Sequence, residues 1–138
     1  MYKRQGLVAF AGAELRSGVE LVMELVGLER EVARADLVLT GEGRADRQSL
    51  GGKVCSGVAG LARRLGVPCV LIAGSVELSE EEIRGMGAVA AHSLRRGPDE
   101  PLADSVRQAA ARLRELAGRA AKNFAAGGAP VDSTGREE

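Results

Sequence analysis

The chain has 138 residues, of which 45% are hydrophobic and only 2% aromatic; that suits one domain with a core of Leu, Val, Ile and Ala. Lys+Arg and Asp+Glu both number 19, so neither a basic excess nor stacking rings point to nucleic acid. No apolar run approaches the ~20 residues that span a bilayer, and the stretch after Met1–Gln5 is too short for a signal peptide. Two cysteines, Cys55 and Cys69, make no disulfide framework, and a reducing cytoplasm is expected.

Gly6 to Ala13 is small and apolar and reads as the end of a helix. Ser17-Gly18-Val19-Glu20 reads as a capping box, Ser17 being the N-cap and Glu20 reaching back. Val19, Val22, Met23 and Val26 then recur at helical spacing, and Gly27 ends the helix. Leu28 to Ala35 predicts a short second helix. Asp36 to Thr40 contains a continuous apolar run, the pattern of a strand buried on both faces. A glycine-rich turn is expected next, through Gly41, Gly43, Gly51 and Gly52. Val54, Val58, Leu61 and Leu65 define a helical face that Gly66 and Pro68 close. Cys69 to Ala73 is a second buried strand, followed by Gly74-Ser75. Ser79-Glu80-Glu81-Glu82 opens a short helix with another capping box. Ala88 to His92 is a weaker third strand, Leu94 to Glu100 a polar loop, and Pro101 suits the first turn of a helix that keeps its period to about Phe124. The segment from Gly127 to Glu138 is polar and glycine-rich and reads as a disordered tail.

This order of strands and helices predicts a single α/β domain over residues 6–126, a short parallel sheet with flanking helices in three layers, Rossmann-like. In such a sheet ligands bind beyond the carboxyl ends of the strands. The loops Gly41 to Gly52, Gly74 to Glu77 and Ser93 to Gly97 therefore fall along one edge.

The first loop is the richest in chemistry. Backbone N–H groups at the helix start near Lys53 would face an anion, aided by the helix dipole. Lys53 and Arg44 can neutralise phosphate oxygens. Asp46 or Glu42 can hold Mg²⁺ or accept a proton from a hydroxyl. In a purely structural alternative, Glu42 and Arg44 form a surface ion pair and the glycines only make the turn. The spacing is neither a Walker A loop nor the dinucleotide fingerprint. Gly74-Ser75 can offer backbone donors or serve as a plain helix-entry turn. His92, the only histidine, reads as structural; Cys55 and Cys69 read as small buried residues. Arg95-Arg96 lies on the ligand edge, and the arginines from Arg107 to Arg119 fit the wet face of the last helix.

Several segments together resemble a known family. They are Phe10 to Glu20, Asp36 to Arg44, then Asp46, Gln48-Ser49 and Gly52-Lys53-Val54, with Gly57-Val58-Ala59 and Ile72 to Ser75 following in order. The family is that of the bacterial-type, first-class glycerate kinases, which use ATP to phosphorylate glycerate to a phosphoglycerate. The resemblance runs from Gly6 to Phe124; Met1 to Gln5 does not resemble family sequence. Family members are much longer, so the resemblance implies the C-terminal part of a two-domain fold whose N-terminal part is a missing partner. Departures are Ala45 where a larger apolar residue is usual, Cys55 in place of proline, and Gly51 in place of histidine.

The resemblance implies Asp46, Lys53 and Arg44 as catalytic residues. It implies phosphate or substrate contacts from Gly41, Glu42, Gly43, Ser49, Gly52, Gly74 and Ser75. ATP and Mg²⁺ are the expected cofactors, the metal on Asp46 or Glu42, and D-glycerate the expected substrate. The isolated chain is expected to be nearly inactive. A non-catalytic anion- or nucleotide-binding module, or an inactive fragment, is the alternative.

Overall fold

A computed structural model describes residues 8–128. After a helical turn over residues 8–11, the chain forms α1 (Gly18–Leu25), α2 (Leu28–Val32), β1 (Val38–Ala45), a 3-10 turn (Arg47–Leu50), α3 (Val54–Arg64), β2 (Cys69–Val76), α4 (Glu80–Met86), β3 (Ala90–Ser93) and α5 (Leu102–Ala125). The strands make one parallel sheet in the order β1-β2-β3. Val38 pairs with Cys69 at the start of β1, and Val70 with Ala90 at the start of β3.

The continuous apolar run of β2 produces the three layers, because alternate residues of a strand face opposite sides. Cys69, Leu71 and Ala73 point into a cluster with Cys55, Ala59 and Ala62 of α3 and Ile83 and Met86 of α4. Val70 and Ile72 point the other way, onto Ala90 and Ala120, with Leu116 beside them. Burying each such aliphatic side chain stabilises the fold by roughly 1.5–3 kcal/mol. Short crossovers between neighbouring strands put α3 and α4 on one face and leave the other to α5. α1 rides on α3 through Gly57, where an added Cβ would lie 2.8 Å from Val19 Cγ1.

Four expectations are corrected. First, the glycine-rich segment after Thr40 is strand: β1 runs on to Ala45, with Glu42 opposite Ala73 and Arg44 opposite Ser75. Gly41 and Gly74 are needed by the sheet itself. A Cβ at Gly41 would sit 2.4 Å from the Ile72 carbonyl oxygen, and one at Gly74 2.3 Å from that of Gly43. Close backbone pairing thus overrides the turn signal of the glycines.

Second, Ser17 is the N-cap of α1, but it contributes its carbonyl, which accepts from Leu21 N at 3.0 Å, and no side-chain cap bond forms. The box at Ser79 and Glu82 is complete in both directions. Third, Pro101 stands at the N-cap of α5, one position before the first turn, with ψ 135. Fourth, Arg112 is not on the wet face of α5: it is 8% exposed. The tail expected beyond Gly127 lies, from residue 129 on, outside the described residues, as does the segment Met1 to Gln5.

Candidate active site

The parallel register aligns the carboxyl ends of the three strands along one edge, and lengthening β1 and β2 moves that edge to Ala45, Val76 and Ser93. The loops that leave it are 46–53, 77–79 and 94–101.

Asp46 is the hinge of the first loop. Its Oδ1 accepts from Gln48 N at 2.8 Å, and its own N–H donates to Ser49 Oγ at 3.2 Å. The Ser49 hydroxyl donates on to the Arg44 carbonyl at 3.4 Å. Ser49 is 0% exposed, so it holds Asp46 in place and presents nothing to a ligand. Gly52 then turns the chain at φ +79, a conformation that a side chain disfavours.

Arg44 reaches sideways, and its ion-pair partner is not the Glu42 of the structural alternative. Its Nη2 donates to Glu77 Oε2 at 2.7 Å, and its Nε lies 3.5 Å from Asp46 Oδ2. Glu77 thus joins the site from the end of β2, where its N–H also donates to the Ala45 carbonyl at 2.8 Å. Sequence reading placed Glu77 in a ligand-edge loop but gave it no role; its position directly after a buried strand was the available signal.

Glu42 points along the other direction of the same face. Thr40, two residues earlier, donates to Cys55 Sγ at 3.5 Å. Burial pushes the Cys55 thiol up; the Thr40 bond opposes this, and the nearby Glu42 carboxylate adds to it by its charge and by hydrogen bonding to the thiol. The Glu42 carboxylate therefore lies beside the first turn of α3. Its Oε1 is buried and bonds to no described residue.

Lys53 is the N-cap of α3 and contributes no side-chain cap bond. Its carbonyl accepts from Gly57 N at 2.9 Å and Ser56 Oγ at 3.0 Å. Lys53 thus gives the first N–H groups of α3 no side-chain cap, and it is itself exposed.

The third loop is held by α5. Arg112 Nη1 donates to the Leu94 carbonyl at 2.9 Å and to Glu100 Oε2 at 2.9 Å, while Nη2 donates to Glu100 Oε1 at 2.6 Å. Arg95 folds back onto the carbonyls of Pro98 and Glu100, both at 2.6 Å. Arg95 thus lies at the ligand edge with its guanidinium engaged by the third loop's own backbone. A groove of about 330 Å³ remains between the second and third loops, lined by Ser75, Glu77, Ser93, Arg95 and Pro98. Ser75 therefore opens to solvent at the site, while Gly74 is occupied: its carbonyl accepts from Arg95 N at 3.0 Å. A larger groove of about 560 Å³ lies between α1 and α3, away from the strand ends. Four of its charged residues pair with one another, Arg16 with Glu24 and Arg64 with Glu29, and Glu20 lines it as well.

The chemistry available is that of an anion site flanked by carboxylates. Arg44, Lys53 and the N-terminus of α3 attract negative oxygens, and Glu42, Asp46 and Glu77 can hold a cation or a proton. Among the described residues there is no cluster of three or more metal-ligating side chains. Mg²⁺ commonly uses one or two carboxylates plus substrate phosphates, and that demand fits Glu42, whose buried oxygen lacks a partner. It fits Asp46 less well, because Gln48 N and Arg44 already occupy its two oxygens.

An α/β sheet with cations and carboxylates at its strand ends can bind phosphate but is not confined to it, and comparison narrows the class. The glycerate kinase family model matches residues 4–125; the chain belongs to that family. A glycerate kinase of Bacillus subtilis is 38% identical over 120 residues, which is 87% of this chain and 30% of that protein. A glycerate kinase of Halalkalibacterium halodurans is 46% identical over 89 residues, 64% of this chain and 23% of its own length. A glycerate 2-kinase of Escherichia coli is 50% identical over 70 residues, 51% of this chain and 18% of its own. A solved Salmonella typhimurium structure, described as a glycerate kinase 2, superposes with a TM-score of 0.61 at 38% identity, covering 88% of this chain and 30% of that one. The chain therefore spans less than a third of the length of these relatives.

Proposed function

We propose that this chain supplies the phosphate-facing part of a glycerate kinase site, one that transfers the γ-phosphoryl group of ATP to a hydroxyl of D-glycerate. The support is its membership of the glycerate kinase family, together with the placement of Glu42, Arg44 and Asp46 at the carboxyl end of β1 and of Lys53 at the start of α3. Phosphoryl transfer depends mainly on positioning and charge neutralisation, and this arrangement offers both.

In this reading Lys53 and the uncapped start of α3 bind the phosphates. Arg44, steadied by Glu77, carries positive charge to the transferring group or to the glycerate carboxylate. Asp46, fixed by Gln48 N and Ser49, accepts the hydroxyl proton. Glu42 holds Mg²⁺, which when bound neutralises phosphate charge. The remaining groups that complete the site come from the rest of a family-length chain, so the isolated chain has little turnover. The reaction belongs to organic-acid metabolism in the cytoplasm; no helix among the described residues is long and apolar enough to cross a membrane.

The test is a coupled kinase assay with ATP, Mg²⁺ and D-glycerate, run on this chain and on the same chain joined to the complementary part of the Bacillus subtilis relative. Turnover in the joined protein alone is the expected result. No turnover in a folded joined protein would leave a non-catalytic anion-binding module. Robust turnover by the isolated chain would overturn the partial-site reading.

A further inference from the structure

The groove of about 330 Å³ between the second and third loops is walled by two charged side chains, Glu77 and Arg95. Glu77 is answered by Arg44 at 2.7 Å. Arg95 has no such answer. The carboxylate of Glu100, on the same loop, is taken by both Nη groups of Arg112, and among the described residues Arg95 forms no ion pair. Its bonds go to carbonyls only: Nε donates to that of Glu100 at 3.0 Å, and Nη2 to those of Pro98 and Glu100, both at 2.6 Å. A guanidinium presents its N–H donors in a rigid planar fork. Those on Nε and Nη2 are spent on holding the side chain still; those on Nη1 bond to no described residue. A half-buried cation fixed in this way meets an anion with little loss of side-chain freedom, and partial burial strengthens the attraction.

Two hydroxyls share the wall and differ in what they can do. Ser75 stands opposite Arg44 in the strand register. Its hydroxyl bonds to no described residue, so it can donate. Ser93 Oγ donates to the Arg95 carbonyl at 2.9 Å, with the Gly74 carbonyl at 3.4 Å. That spends its hydrogen and leaves its lone pairs to accept. A fixed cation, a donor and an acceptor in one groove match a short carboxylic acid that bears a hydroxyl. The volume lies near the lower bound of small-molecule sites and suits a short acid better than a nucleotide.

We propose that this groove is the subsite for the carboxylate of a short hydroxy acid, with Arg95 as its anchoring cation, Ser75 as a second donor and Ser93 accepting from the hydroxyl. The identity of the acid rests on the kinase reading above; the subsite itself does not. The assignment divides the two duties left to Arg44. Arg44, held by Glu77 beside the first loop, serves the transferring group, and Arg95 binds the acid and selects for it.

Titration of this chain followed by amide NMR tests the subsite. D-glycerate is the probe, glycerol its uncharged counterpart and inorganic phosphate the competing anion. D-glycerate should shift Ser75, Ser93 and Gly97 saturably with a Kd of about 10 mM or tighter, and glycerol should not. Arg95→Gln should weaken binding at least about tenfold, as loss of a charged donor does; Arg112 still holds the third loop in that variant. Ser75→Ala removes no bond within the described protein and should weaken binding about threefold. It decides alone should Arg95→Gln disturb the loop. No saturable shift, a groove that prefers phosphate, or binding indifferent to the deciding substitution overturns the proposal. The joined protein separates this from the kinase reading. There Arg95→Gln should raise KM for D-glycerate at least about tenfold and leave KM for ATP unchanged. An active joined protein whose KM for D-glycerate ignores the change overturns the subsite and leaves the kinase standing. Saturable groove binding beside a folded but inactive joined protein does the reverse.

Discussion

A buried carboxylate oxygen without a partner carries a desolvation penalty that a hydrogen bond or a cation would remove, and Glu42 has such an oxygen beside the start of α3. In sequence either carboxylate could serve as metal ligand or base, with Asp46 placed first and Glu42 second for both roles. The fold separates them, because Asp46 already caps the turn that follows it whereas Glu42 has capacity to spare. In the joined protein, Glu42→Gln should raise the Mg²⁺ concentration needed for half-maximal rate. Asp46→Asn keeps the acceptor for Gln48 N and should instead lower kcat by about 100-fold or more, the usual contribution of a general base. Initial rates over a Mg²⁺ series distinguish the two, and a reversed pattern would reassign the roles. The cysteines give a second residue-level test. Burial pushes Cys69 up to about 12, with Cys55 adding to the shift, and burial likewise raises Cys55. Since the thiolate is the nucleophile, a thiol reagent at mildly alkaline pH should find neither cysteine in the folded chain and both after denaturation. Rapid native labelling of Cys55 would show that the first turn of α3 opens.

Elements were legible where periodicity was strong. The buried run around Cys69 to Ala73, the helix of Val54, Leu61 and Leu65, and the Ser79–Glu82 box all stand where their spacing put them. Glycine was the source of the main misplacement. Gly41, Gly43 and Gly74 carry no side chain to betray a strand, and the close approach of β1 to β2 that requires Gly41 and Gly74 exists only after pairing. Substitution separates the cases. Gly41→Ala and Gly74→Ala would drive a Cβ to 2.4 and 2.3 Å of backbone oxygens that cannot rotate away, and each should cost at least about 1–3 kcal/mol by overpacking. Gly43→Ala meets nothing within 4 Å and should be nearly neutral. Denaturant midpoints of the three variants measure this, and equal losses would mean that strand propensity, not contact, sets the cost. In the core, Leu71→Ala should cost about 2–5 kcal/mol, since Leu71 is enclosed completely. Arg112 was misread for a related reason: helical spacing alone could not show that the loop bearing Glu100 folds across that face of α5.

At the scale of the whole molecule, the α5 layer is held by groups that titrate in different ranges, and this fixes how the fold should respond to acid. The continuous apolar run of β2 made both layers legible in advance, but a lone histidine in a weak strand gave no hint of which layer it would enter. His92 stands opposite Ile72 on the α5 side of the sheet; it is 8% exposed, and its Nε2 has no partner among the described residues. Burial, and then the charge of Arg119 on α5, hold it below the ordinary value of 6.5. The folded state thus prefers neutral imidazole. As pH falls below the unfolded value, the unfolded chain binds the proton first, so stability falls from about pH 6.5 downward and levels off once the folded value is passed. Glu100 behaves in its own window. The Arg112 hydrogen bonds, then that from Arg96 N, lower it to about 2 from 4.5. Its contribution is complete above the ordinary carboxylate value and is lost only between about 4.5 and 2. Urea unfolding across this range should therefore show two separate declines. His92→Gln should flatten the one near neutrality and leave the acidic one, and Glu100→Gln should do the reverse. A His92→Gln chain that keeps the full decline below about pH 6.5 would show that another group, not this imidazole, controls the docking of α5.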